Sequence, residues 1–153
     1  MKIAFVCVGR MKKGPLREVF EDYSSRIKRY LPLELVEVRE ARSTGKTQEV
    51  ARAEGGRIRS RLGPGFVVAL DERGRGFTTG GFAGLMERLM NEGRKRVSFV
   101  VGGPWGLDPE LRAEADLVMR LSELTLPHEL ARVVLAEQVY RAMTVIRGEP
   151  YSH

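Results

Sequence analysis

Stretches that are apolar at nearly every position alternate along this chain with stretches that are apolar at every third or fourth. The first kind predicts strands buried on both faces of a parallel sheet, and the second predicts amphipathic helices. Lys2 to Val8 is a strand, Leu33 to Arg39 a second with more charge and so nearer an edge, and Phe66 to Leu70 a third. Val97 to Val101 and Leu117 to Leu121 are the fourth and fifth. A helix begins at about Pro15, since proline suits the first helical position, and Leu16, Val19, Phe20, Tyr23, Ile27 and Tyr30 keep helical spacing. Lys46 to Leu62 is a polar helix weakened by Gly55-Gly56 and ended by Gly63-Pro64-Gly65. Gly81 to Asn91, Pro109 to Ala115 and His128 to Arg147 are the remaining helices, with Asp71 to Gly76 as a loop. This order predicts an α/β fold, a mostly parallel sheet flanked by helices, in one domain spanning residues 1–153.

The final helix carries more apolar surface than one sheet contact needs. Leu130, Val133, Val134, Leu135, Val139, Tyr140, Met143, Val145 and Ile146 cover more than one face, whereas a single contact takes a stripe about 100° wide. The excess predicts a second partner, most simply another copy of the chain in a two-fold homodimer. On the same helix Arg132, Glu137 and Arg141 are expected to form an ion-pair set on its surface or at that seam.

Two strand ends look built for a ligand. Val100-Val101 runs into Gly102-Gly103-Pro104, and Leu121-Ser122-Glu123-Leu124-Thr125-Leu126 into Pro127-His128. A glycine pair lets backbone amides approach a ligand with no side chain between, and open parallel sheets bind ligands beyond the carboxyl ends of their strands. Two such ends predict an apolar slot lined by backbone groups, suited to a flat uncharged ring such as adenine. Trp105 stands at its mouth, to stack on a base or pack as a lid, and His128 opens the final helix.

The totals narrow the remaining choices. With 42% hydrophobic and 30% charged residues in 153, the chain has the make-up of a soluble domain with a real core. Its longest apolar runs are strand-sized, so no membrane span is expected, and the opening residues lack a signal-peptide layout. The one cysteine, Cys7, falls inside the first strand and is expected to be a buried structural thiol, with the cytoplasm as compartment. Up to residue 65 the chain holds 15 Lys and Arg against 8 Asp and Glu, and beyond it 11 against 12. A basic first half of this kind suits phosphate contacts with nucleic acid.

Other chemistry finds little support. Ser43-Thr44-Gly45-Lys46-Thr47 resembles the end of a phosphate-binding loop, but Glu40 stands where that motif needs glycine, so it is read as a basic loop near RNA. No Gly-x-Gly-x-x-Gly follows the first strand and no Gly-x-Ser-x-Gly occurs. Two histidines and one cysteine assemble no metal cluster, so no metal is expected.

In order along the chain, Lys2-Ile3-x-x-Val6-x-Val8-Gly9, Leu70-Asp71-Glu72-x-Gly74 and Phe99-Val100-Val101-Gly102-Gly103-Pro104-x-Gly106 resemble the RlmH family of SPOUT-class methyltransferases. So do Leu121-Ser122-x-Leu124-Thr125-Leu126-Pro127-His128, Ala136-Glu137-Gln138-x-Tyr140-Arg141-Ala142 and the closing Pro150-Tyr151. The resemblance implies a cytoplasmic homodimer with a C-terminal trefoil knot, an exception to the un-knotted rule. It also implies transfer of a methyl group from S-adenosyl-L-methionine to N3 of a pseudouridine in 23S ribosomal RNA of the assembled ribosome. Cofactor contacts carry over onto Leu70, Gly102 and the run Leu121, Ser122, Glu123, Leu124, Thr125, Leu126, beside the slot residue Gly103. Family members end in Tyr-His and a basic residue, in a tail directed toward the active site of the partner subunit. This chain ends Tyr151-Ser152-His153, which leaves Tyr151 and His153 as candidate catalytic residues and no named base. The altered tail keeps open a non-catalytic ribosome-associated RNA-binding factor, and an enzyme of the same class acting on tRNA is the other alternative.

Overall fold

The computed structural model describes residues 1–151. Five strands, β1 (Lys2–Val8), β2 (Leu33–Val38), β3 (Phe66–Arg75), β4 (Arg96–Val101) and β5 (Leu117–Met119), form one sheet in the order β2-β1-β4-β3-β5. Every pairing is parallel. The helices are α1 (Pro15–Ile27), α2 (Thr47–Leu62), α3 (Thr79–Asn91), α4 (Pro109–Glu114) and α5 (His128–Ile146).

The alternation within β1 decides the layering. Ile3, Phe5 and Cys7 face a core closed by α1, α3 and α5, while Ala4, Val6 and Val8 face a smaller one closed by α2 and α4. All six are fully buried, which is why this strand reads as a continuous apolar run. In the larger core Phe5, Phe20, Phe82 and Phe99 meet with ring centroids 6.0 to 6.2 Å apart, within the range aromatic pairs favour. Charged β2 lies at the edge as expected, with Leu35 exposed. Burial pushes the Cys7 thiol up to about 12, so it is an inert core group.

Three expectations are revised. The first concerns Asp71 to Gly76, which is not a free loop. Leu70 and Arg75 both pair with Met119, and the residues between them bulge out of β3. A Cβ on Gly74 would lie 2.6 Å from Met119 backbone atoms, so only glycine lets the returning chain pass so close to β5. The second concerns the fifth strand, which ends at Met119 and not at Leu121, whereas α2 spans Thr47–Leu62 as expected.

The third concerns α5. It rides over the sheet between α1 and α3, so Leu135, Val139 and Met143 are fully buried within one chain. Much of the apolar excess is therefore absorbed without a second copy, because three sides of the helix meet apolar neighbours. Nor is Arg132 a surface residue. It is 1% exposed, with Nη2 donating to the Val8 and Gly9 carbonyls and Nη1 3.6 Å from Glu37 Oε1. Only Glu137 and Arg141 form the expected pair, at 2.6 Å.

A buried guanidinium holding the end of β1 to α5 makes a specific expectation. Arg132→Ala strands two carbonyls and Glu37 and should cost about 3–5 kcal/mol, measured as a lower urea midpoint with unchanged slope. A midpoint equal to wild type would show that the guanidinium does not hold this junction.

Candidate functional site

At the carboxyl edge of the sheet the ends of β3, β4 and β5 surround a cleft of about 780 Å³, a volume in the range of small-molecule sites. One side is Leu70 with the bulge residues Asp71, Glu72 and Arg73. The base is Val101 and the turn from Gly102 to Leu107, and the far side is Leu121, Ser122 and Leu124 to Pro127, closed by His128 and Ala131 of α5. Leu70, Gly102, Gly103, Leu121, Ser122, Leu124, Thr125 and Leu126 thus converge on one space, as their sequence positions predict. Glu123 does not. Its side chain is 83% exposed and pairs with Arg120 at 3.1 Å, because Ser122 Oγ accepts the Leu124 N–H at 2.9 Å and turns residue 123 outward.

The turn after β4 is closed by the Gly106 N–H donating to the Gly103 carbonyl at 3.1 Å. A Cβ on Gly103 would meet Val8 Cγ1 at 3.0 Å and Glu54 Oε2 at 3.3 Å. Packing behind the turn is therefore a requirement for glycine here, alongside the ligand approach that the sequence suggests. At the rim Arg112 donates to Asp71 Oδ2 at 2.9 Å, while Asp71 Oδ1 accepts the Arg73 N–H at 2.9 Å and holds the bulge in shape. Trp105 and Leu124 keep 52% and 78% of their surface exposed at the mouth, as apolar groups awaiting contact.

Tyr151 lies elsewhere. The chain after α5 folds back so that its hydroxyl sits 3.2 Å from both the Tyr23 hydroxyl and Glu137 Oε1, beside the middle of the helix. Burial, with Tyr23 and Glu137 beside it, holds this phenol well above its ordinary value. Glu137 stands nine residues along α5 from His128, about 14 Å of helix, and Tyr151 is engaged there and does not line the slot of its own chain. His153 lies outside the described residues. Ser43 to Thr47 makes no phosphate cradle: Thr44 Oγ1 donates to Glu49 Oε2 at 3.2 Å and Lys46 lies 3.4 Å from Glu49.

Six of the fifteen basic residues of the first half stand at the same edge as the slot. Arg10, Lys12 and Lys13 lie on the loop after β1, and Arg39, Arg42 and Lys46 on the loop after β2, at the same edge of the sheet. The Lys12 N–H donates to Glu129 Oε1 at 2.8 Å, which ties the first loop to the start of α5. A second cleft of about 430 Å³ beside the second loop is lined by Arg39, Arg42 and Arg57. Sequence reasoning missed Arg112 and the buried Glu54. For Glu54 a signal existed, an acidic residue followed by two glycines inside an otherwise polar helix. Among the described residues no group of three or more His, Cys, Asp and Glu could hold a metal ion, and no helix is long and apolar enough to cross a membrane.

A parallel α/β sheet with a ligand-sized cleft at its carboxyl edge defines a class shared with known proteins. The chain matches the family described as predicted SPOUT methyltransferase over residues 1–153, and it belongs to that family. Its relatives include ribosomal RNA large subunit methyltransferase H of Syntrophotalea carbinolica, 46% identical over 99% of this chain and 98% of the relative. The protein of the same name from Brucella anthropi is 43% identical over 99% of this chain and 98% of its own length. Among solved structures, a probable methylase family protein from Haemophilus influenzae superposes with a TM-score of 0.58 at 14% identity, over 99% of this chain and 70% of that one. The latter likeness concerns the fold.

The packing behind the turn yields a test. Gly103→Val forces Val8 and Glu54 apart and should destabilise the protein by about 1–3 kcal/mol, seen as a lower Tm, as well as weakening whatever the slot binds. An unchanged Tm would show that the turn yields freely.

Proposed function

We propose that this chain is a ribosomal RNA methyltransferase that carries the methyl group of S-adenosyl-L-methionine to N3 of a pseudouridine in 23S ribosomal RNA of the assembled ribosome. The observation that carries this is the convergence of Leu70, the Gly102–Gly103 turn and the segment from Leu121 to Leu126 on one cleft, in a chain of the SPOUT family. The names of the full-length relatives supply the substrate class.

The residues present suit the cofactor. Leu70, Leu121 and Leu126 offer apolar faces to a planar base, and the backbone groups around them offer donors and acceptors for its edge. When bound, its sulfonium supplies an activated methyl group, so the protein's contribution is mainly orientation and exclusion of water. A slot made of strand ends is fixed by the sheet and keeps its shape on rigid elements. Arg10, Lys12, Lys13, Arg39 and Arg42 would meet the phosphates of the RNA beside it, positioning the strand without reading its sequence.

The remaining features follow from the family. The C-terminal segment is knotted, the compartment is the cytoplasm, and the working unit is a homodimer. Leu16 and Val19 on α1 and Val145 on α5, each 37 to 42% exposed, favour a second copy on that side. A partner placed there with its α5 antiparallel would bring its tail toward this slot, which the chain's own Tyr151 does not line.

Methyl incorporation from labelled donor should appear with ribosomes, and mass spectrometry should place it at N3 of a pseudouridine. Labelling of tRNA alone would favour the other enzyme of this class, and no labelling at all a non-catalytic RNA-binding factor. Light scattering should give twice the 17.2 kDa chain mass; a single-chain mass at micromolar concentration would exclude the dimer. Deleting residues 151–153 should cut turnover by about tenfold or more while changing donor affinity little. Equal turnover would remove the tail from the reaction.

A further inference from the structure

We propose that Glu54 is a positioning residue of the slot: its buried carboxyl, hydrogen-bonded to the loop leaving β2, packs against the back of the Gly102–Gly103 turn and limits where that turn can stand. The proposal rests on the donor-binding role just assigned to the slot.

Three observations support it. Glu54 is 3% exposed although it lies on the most polar of the long helices. Its Oε1 accepts the Ala41 N–H at 3.1 Å. Its Oε2 has no hydrogen-bond partner among the described residues and stands 3.3 Å from where a Cβ on Gly103 would sit. A buried carboxyl oxygen without a partner is costly, so a purely structural helix would place an apolar residue here.

The neighbouring positions of α2 act on the same segment. Gly55 lets the helix approach the start of α4, where a Cβ would fall 2.6 Å from Asp108 Cβ. Arg59, one turn further on, binds Asp108 Oδ2 at 3.1 Å and Glu114 Oε2 at 2.9 Å. Asp108 in turn caps α4 by accepting the Glu110 N–H. The helix thus grips both ends of residues 103 to 108, with Glu54 at the end that lines the slot. At its other end Ala41 stands between Arg39 and Arg42, so one carboxyl joins a basic loop to the turn under the donor.

The groups facing Glu54 leave its carboxyl poorly suited to carry charge. Burial is the main effect and raises its affinity for a proton; Glu40 adds to this, while the Ala41 N–H and Arg57 oppose it. Asp108, Glu110 and Glu114, the acidic groups at α4, are held by Arg59. Glu54 therefore acts by shape and hydrogen bonding, which an amide of the same size reproduces.

Calorimetric titration with S-adenosyl-L-methionine separates the outcomes, at a temperature where thermal unfolding shows each variant folded. The wild-type protein must bind the donor; if it does not, the function proposed above fails, and not this inference. Glu54→Ala should bind about tenfold more weakly or worse, and Glu54→Gln within about twofold of wild type. If the alanine variant does not fold, Glu54→Asp, which is one methylene too short to span Ala41 and Gly103, should show a several-fold loss. Wild-type affinity in the alanine variant, or in the aspartate variant where alanine does not fold, overturns the proposal, because a residue needed only for stability lowers Tm and leaves Kd unchanged. A glutamine variant as weak as alanine also overturns it.

Discussion

Because each strand pairs with its neighbours in parallel, each delivers its carboxyl end to the same edge of the sheet. Parallel pairing obliges the chain to return along a face through a helix each time. Helices therefore fill both faces, and only the edge is left for loops of independent shape. The bulge after Leu70, the glycine turn after Val101 and the bend after Leu121 come from segments well apart in sequence, yet they meet for this reason. The same constraint brings the basic loops after β1 and β2 to that edge, which sets part of the first half's charge next to a cleft built mostly by the second half.

Much of this was legible in the chain, and for identifiable reasons. Strands buried on both faces leave long apolar runs, so β1 and β4 were plain, and Pro15 marked the start of α1. The glycine turn and the leucine-rich bend were legible because each follows an apolar strand-like run, whereas Leu70 was marked by the family resemblance alone. What escaped depends on contacts between distant segments. Nothing local distinguishes Arg132 from Arg141, yet one is sealed against the end of β1 and the other lies on the helix surface with Glu137. The course of residues 71 to 75 was hidden because the return to β5 is set by Met119, more than 40 positions away. Glu123 sits in a run whose neighbours all line the cleft, and a serine hydroxyl one residue earlier decides that it faces out.

The two charged groups Arg132 and Glu54 are sealed inside the fold near the working edge. They sit on opposite sides of the sheet next to the same residue, Val8: one holds its carbonyl, and the other faces the glycine that packs against its side chain. Apolar side chains in either place would spare the cost of desolvation. Instead directional bonds from Arg132 hold the end of β1, and one to Glu54 holds the loop after β2, fixing orientation more sharply than contact between hydrocarbons can.

The bulge in β3 has a further consequence for how such a protein can change over evolutionary time. Leu70 and Arg75 are pinned opposite one residue, Met119, so the excursion between them begins and ends at the same height in the sheet. Lengthening or shortening it would leave the alignment of all five strands undisturbed, provided Gly74 remains for the return. The lip of the cleft on that side is thereby free to be remodelled, while the opposite lip, strung between β5 and α5, is not.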